Sequence, residues 1–168
     1  MSYVELHCHS NYSFQEGASF IHELLTRAVG MGYPALALTD HDNLCGAMEF
    51  ARAARSLGIQ PITGAEVTLQ GGHHVTLLAE SQKGYGNLCR LLSAGRLTVD
   101  RREPELDQRF LSEHSEGLIL LTGCSKGLVP ALVQEGHLNK AETALRQCTE
   151  WFGAGNVYVE LQQNLVQG

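Results

Sequence analysis

The feature that most limits the fold is a set of short, almost uniformly apolar runs, each followed by a stretch with helical spacing. Residues 34–39 (Pro-Ala-Leu-Ala-Leu-Thr) and 117–122 (Gly-Leu-Ile-Leu-Leu-Thr) are such runs. A strand that is apolar on both faces needs cover on both, as strands have in a parallel sheet flanked by helices. After the first residues, Ile21, Leu24, Leu25 and Ala28 fall on one helical stripe, with Ser19 as a cap and Gly30-Met31-Gly32 as the stop. Helices are also expected over 47–57, 85–97, 106–114, 128–134 and 138–152, and further strands over 3–10, 60–67, 74–79 and 157–161. A turn is expected at Gly71-Gly72, and a charged, exposed connection over 98–104. This alternation predicts an α/β fold of parallel βα units, closed into a barrel or left as an open sheet.

With 168 residues, 43% of them hydrophobic and 18% charged, the chain can bury the core of one domain. No apolar run is long enough to cross a bilayer, and the start lacks the basic and apolar segments of a secretory signal, so no membrane partner and a cytoplasmic location are expected. Five scattered cysteines without C-x-x-C spacing argue against a disulfide scaffold or zinc ribbon. Cys8, Cys45, Cys89 and Cys148 read as core or helix-face residues. The net charge of -6 argues against nucleic-acid binding by overall electrostatics, and the arginines at 90, 96, 101, 102 and 109 read as a solvated surface.

The chemistry gathers around His7-Cys8-His9. On a strand, His7 and His9 project from one side and Cys8 from the other, so two imidazoles face one point. In a parallel βα fold, functional groups sit where strands end at their carboxyl side. His7 and His9 end the first strand, Glu16 lies in the loop after it, His41 follows the second, Glu66 ends the third, and Cys124 follows the 117–122 strand. His74 starts its strand, so it reaches that rim only if the strand runs antiparallel or its boundary lies elsewhere. Together these seven residues form a candidate multinuclear metal site suited to Zn, Mn or Fe, in which Glu66 can bridge two cations. Asp40 and Asp42, flanking His41, are candidates to orient its ring. His22, His73, His114 and His137 read as surface residues.

The strings L-H-C-H-S, T-D-H-D-N, G-A-E and H-V-T-L-L-A, in that order, resemble the polymerase and histidinol phosphatase (PHP) family. Residues 33–41, 84–88, 116–119 and 158–161 resemble the N-terminal PHP domain of bacterial DNA polymerase III α subunits, most closely the error-prone type. The resemblance covers residues 1–168 as one domain. It implies a distorted (β/α)7 barrel with up to three metal ions, held here by His7, His9, Glu16, His41, Glu66, His74 and Cys124. Glu16 stands where the family usually has Asp. The family's last motif, an Asp followed shortly by a His, has no counterpart before Gly168, so the barrel is expected to be incomplete at its C-terminus and to hold fewer ions.

Three functions follow. The first is metal-assisted phosphoester hydrolysis, with the 3′ end of primer DNA as the implied substrate (3′→5′ exonuclease) and the remaining polymerase domains as partners. The second is a catalytically inactive metal-binding module that braces and docks the polymerase. A stand-alone PHP phosphatase is the third. An incomplete barrel would also expose apolar surface and self-associate.

Overall fold

A computed structural model describes residues 3–97 and 104–162. Helix α1 (Ile21–Gly30) precedes β1 (Ala35–Leu38), α2 (Ala47–Ser56), β2 (Gln60–Thr68), β3 (His74–Ala79) and α3 (Gln82–Leu97). Then come α4 (Arg109–Glu113), β4 (Leu118–Leu121), α5 (Leu128–Gln134), α6 (Leu138–Phe152) and β5 (Val157–Tyr158). The strands form one sheet in the order β1-β2-β3-β4-β5, so the α/β class and nearly every expected element are present.

The sheet is mixed rather than wholly parallel. β1 pairs parallel with β2 and β4 with β5, but β3 runs antiparallel to both of its neighbours. The cause is local: the connection from β2 to β3 is too short for a crossover helix, and Gly71 (φ 93) and Gly72 (φ 79) supply the left-handed backbone that reverses the chain. This reversal carries His74, the first residue of β3, to the end of the sheet where β1, β2 and β4 finish.

The first expected strand is a further correction. Residues 3–10 make a single parallel bridge, Glu5 to Leu36, instead of a regular ladder. Beyond it a side chain replaces the backbone partner: the Cys8 N–H donates to Thr39 Oγ1 (2.9 Å) while Thr39 N–H donates to the Cys8 carbonyl (2.9 Å). Ser19 does not cap α1; Glu23 accepts from the Phe20 N–H (2.8 Å). Leu106 bridges to Leu69 ahead of α4, which trims the expected helix, and β5 stops three residues short of Leu161.

Alternation along the strands sorts the core. Ala65, Val67, Val75, Leu77, Leu118 and Leu120 bury against Leu88, Leu91 and Phe152 of α3 and α6, and Leu36 and Leu38 pack on Phe50 of α2 and Leu25 of α1. The opposite face carries Ala37, Leu78 and Leu121 under Leu6, Ile62 and Ile119, below an open groove of about 740 Å³. Cys148 lies in the core and Cys8 is half-buried, but Cys45 is exposed, against expectation. Arg101 and Arg102 lie outside the described residues.

Gly84 opens α3 against the turn before β4, where an added Cβ would lie 1.8 Å from the Gly117 carbonyl oxygen. Helix propensity favours alanine there by about 1 kcal/mol, but the clash is with backbone. Gly84→Ala is therefore expected to destabilise the chain by about 1–3 kcal/mol in urea unfolding, and a neutral or stabilising result would contradict this packing.

Candidate metal centre

Because β3 is reversed, the donors converge on one rim although they are distant in sequence. Glu66 is the hub. It is buried on β2, opposite Thr76 of β3, and bridges to His41, so that the end of β1 continues along β2. His41 Nδ1 lies 2.8 Å from Glu66 Oε2, His74 Nδ1 3.3 Å from the same oxygen, and His7 Nε2 3.4 Å from Oε1. His9 Nε2 stands 3.7 Å from Oε2 and 3.3 Å from His7 Nε2. Two donor groups share the carboxylate, His7/His9/Glu66 and His41/Glu66/His74, each with its ligand atoms within 4.8 Å of one another.

The other two expected residues border the cluster. Glu16 Oε2 is 2.9 Å from His41 Nδ1 and 3.7 Å from His9 Nδ1. Cys124 Sγ is 3.7 Å from Glu66 Oε1. A cavity of about 410 Å³ opens over His7, His9, Glu66, His74 and Cys124. His22 and His137 are exposed and His73 and His114 half-buried, all outside this cavity.

Two of the rings that turn one nitrogen inward, His7 and His41, have the other nitrogen anchored. His7 Nδ1 donates to Glu160 Oε1 (2.8 Å), which leaves Nε2 facing Glu66. His41 Nε2 lies 3.1 Å from Asp42 Oδ2 and 2.9 Å from Thr68 Oγ1, and Asp42 is itself fixed by the Thr68 N–H (2.8 Å) and hydroxyl (2.7 Å). A carboxylate on the outer nitrogen fixes tautomer and orientation. Asp40 does something different from Asp42. It is buried and accepts from Ser10 N (2.7 Å), Ser10 Oγ (2.8 Å) and Ser13 Oγ (2.7 Å), and Ser13 Oγ accepts from the His41 backbone N–H (3.0 Å). It therefore builds the loop under His41 and leaves the ring to Asp42.

Glu160 was not singled out from sequence, because it lies far along the chain from the other donors and reads as one more acid of the expected 157–161 strand. The only signal was its place in the 158–161 string. Arg96 was also missed: its guanidinium donates to the Asp42 carbonyl (2.7 Å) at the edge of the site, whereas Arg109 pairs with Asp107 at the surface.

Charge follows from this crowding. Burial disfavours protonated His7, but the Glu160 and Glu66 carboxylates outweigh it and push the imidazole up to about 10. His41 is likewise buried yet held up to about 10 by Asp42, Glu66 and Glu16. The Cys124 sulfur and then Glu66 raise His74 to about 9. Burial would raise Glu66, but the surrounding imidazoles of His41, His7 and His74 hold it far below the usual carboxylate range. Burial lowers His9, and His74 lowers the Cys124 thiol.

The donor chemistry fits divalent cations. His74 Nδ1 is buried 3.3 Å from Glu66 Oε2 but outside hydrogen-bond geometry, an incompletely satisfied pair into which a cation would fit. Imidazole and carboxylate around one cavity is the composition that binds divalent metal.

Known proteins similar to this chain fall in one group. An error-prone DNA polymerase of Symbiobacterium thermophilum is 45% identical over 100% of this chain, which spans 17% of that relative. A DNA polymerase III subunit alpha of Treponema pallidum is 35% identical over 98% of the chain, which spans 15% of it. This chain thus covers about a sixth of the length of such relatives. Among solved structures, a Bacteroides vulgatus two-domain protein containing a predicted PHP-like metal-dependent phosphoesterase superposes with a TM-score of 0.50, at 17% identity, over 93% of this chain and 49% of that one. The PHP domain family model matches residues 5–164, and the chain belongs to the PHP domain family.

Proposed function

We propose that the rim is a phosphoesterase centre in which Glu66 is shared between two divalent cations, one held with His7 and His9 and the other with His41 and His74. The observation that carries this reading is the buried Glu66 carboxylate within 3.4 Å of nitrogens from three histidines on three separate segments. Glu16 and Cys124 stand close enough to complete the coordination. The imidazole-rich set favours Zn, Mn or Fe over Mg or Ca.

Bound cations would supply an acidified water and neutralise charge on the phosphoryl oxygens. The chain's own residues prepare for that. Glu160 and Asp42 keep the outer nitrogens of His7 and His41 protonated, so the inner lone pairs face the cavity. Thr68 holds Asp42 in place, and the Asp40 network fixes the loop carrying His41. Within the longer polymerase, we propose that the substrate is the 3′ end of DNA, removed as nucleotides in a 3′→5′ exonuclease reaction. The supports are kinship with DNA polymerases and a cavity open to solvent beside the centre. The groove over the inner sheet face, with Tyr158, Val159 and Leu161 exposed at its edge, supports self-association of the isolated chain with a second copy.

Three outcomes are expected. The metal-depleted chain releases nucleotides from a single-stranded 3′ end only after Mn or Zn is restored, and Glu66→Gln both binds fewer cations by elemental analysis and abolishes release; hydrolysis that survives this change and a chelator would sink the assignment. Glu160→Gln weakens metal binding by about 10–100-fold, because His7 loses its orienting carboxylate; competition with a chromophoric chelator measures this.

The third outcome concerns protons. Without cations, His7, His41 and His74 are raised in the folded state, so their contribution to stability is fully present below pH 6.5 and is lost as pH rises through 9–10. Cation binding must displace those protons. Calorimetry at pH 7.5 in buffers of different ionisation enthalpy should show proton release, and apparent metal affinity should rise with pH and level off near 10.

A further inference from the structure

Beside the His/Glu centre lies a second cavity of about 540 Å³, which shares Glu16, His74 and Lys126 with the first and continues to Phe14 and Arg96. Phosphoester hydrolysis at the centre gives this cavity no role by itself. Its outer wall carries an aromatic ring: Phe14 is 86% exposed.

A single exposed phenylalanine ordinarily needs no explanation. This one sits on a loop that is held out rigidly. Ser13 N–H donates to the Ser10 carbonyl (2.9 Å), Gly17 N–H to the Ser13 carbonyl (2.8 Å) and Asn11 N–H to the Ser19 carbonyl (2.8 Å). Gln15 adopts a left-handed backbone (φ 68), and a Cβ on Gly17 would lie 2.0 Å from the Ser10 carbonyl oxygen, so the turn closes only with glycine there. Buried Asp40 ties Ser10 and Ser13 to the floor of the site. The Phe14 backbone cannot move into the core without dismantling the loop that positions His41.

Cations accompany the ring. Lys126 is placed by its carbonyl, which accepts from the His74 N–H (3.2 Å), and its ammonium stands 3.7 Å from Glu16 Oε1. Arg96 is anchored on the Asp42 carbonyl. Glu105 shares the wall, so the cavity is not simply basic. An aromatic face and an ammonium beside a phosphate-hydrolysing centre match a ligand made of a planar base joined to a phosphate.

We infer that Phe14 and Lys126 form a nucleotide subsite beside the centre, in which the ring stacks on the base next to the scissile phosphodiester and the ammonium meets its phosphate. The subsite rests on the phosphodiesterase reading and deepens it, because it selects a nucleotide over a small phosphomonoester.

The test is a mutant cycle on binding, separate from turnover. An oligonucleotide with phosphorothioate linkages carries either 2-aminopurine or an abasic residue at its 3′ end and is titrated with the Mn-loaded chain. With the base present, Phe14→Leu is expected to weaken binding about tenfold and to remove the quenching of 2-aminopurine, since stacking on an aromatic side chain is lost. With the abasic end, the same substitution should change affinity little, and Phe14→Trp should restore the base-dependent part. Lys126→Ala should weaken both ends alike and reduce the salt dependence. Equal losses for both ends on Phe14→Leu, or no base-dependent quenching in the unsubstituted chain, overturns the subsite. Nucleotide release from unblocked DNA is followed in parallel: release without coupling rejects the subsite alone, while coupling without release rejects the phosphodiesterase reading and with it the assignment of the bound base to a scissile end.

Discussion

A carboxylate taken out of water must be repaid by partners, and at Glu66 those partners come from every part of the described chain that reaches the rim. His7 arrives from the irregular first segment, His41 from the end of β1, and His74 from the start of β3. With no cation present, the imidazoles carry protons and balance the acid. Cations bound as proposed would take the place of those protons, so folding and loading would depend on one set of distances. Leaving Glu66 without either form of positive charge would expose the full desolvation cost, which makes the arrangement of segments around it the central constraint on this fold.

That arrangement depends on devices one layer out. Thr39 replaces a missing backbone partner for Cys8, and this lets the segment carrying His7 and His9 leave the sheet while staying beside β1. Asp40 gathers Ser10 and Ser13 under His41, and Asp42 with Thr68 turns the His41 ring. The two acids on either side of His41 thus perform separate tasks, one on the loop beneath it and one on its ring. Deep burial of Asp40 among hydroxyls also means that the loop offering Phe14 and Glu16 is organised by the same carboxylate.

Much of this was legible from residue order. The alternation of apolar runs and helical stripes gave the class, and residues 34–39 and 117–122 lie at β1 and β4 as their two-sided apolarity requires. The seven expected donors all come to one rim. Less legible was anything decided by a partner distant in the chain. The reversal of β3 depends on a short turn whose glycines suit several connections, and only pairing of Thr68 with His74 fixes its direction. Glu160 is one more acid near a strand end until His7 is seen beside it. Cys45 follows the site loop in sequence and was expected in the core or on a helix face, but it is exposed. Asp40 and Asp42 differ by two positions and could be told apart only by the hydroxyls around them.

The hairpin between β2 and β3 brings a last consequence. Glu66 and His74 are fixed by the ladder, whereas Gly72, at the tip of the same turn, borders the cavity that also holds Phe14. Lengthening or rebuilding that tip would reshape the entrance without moving either donor. The donors and the entrance are therefore separable within ten residues, and related chains could diverge in what they admit while the His/Glu cluster stays fixed.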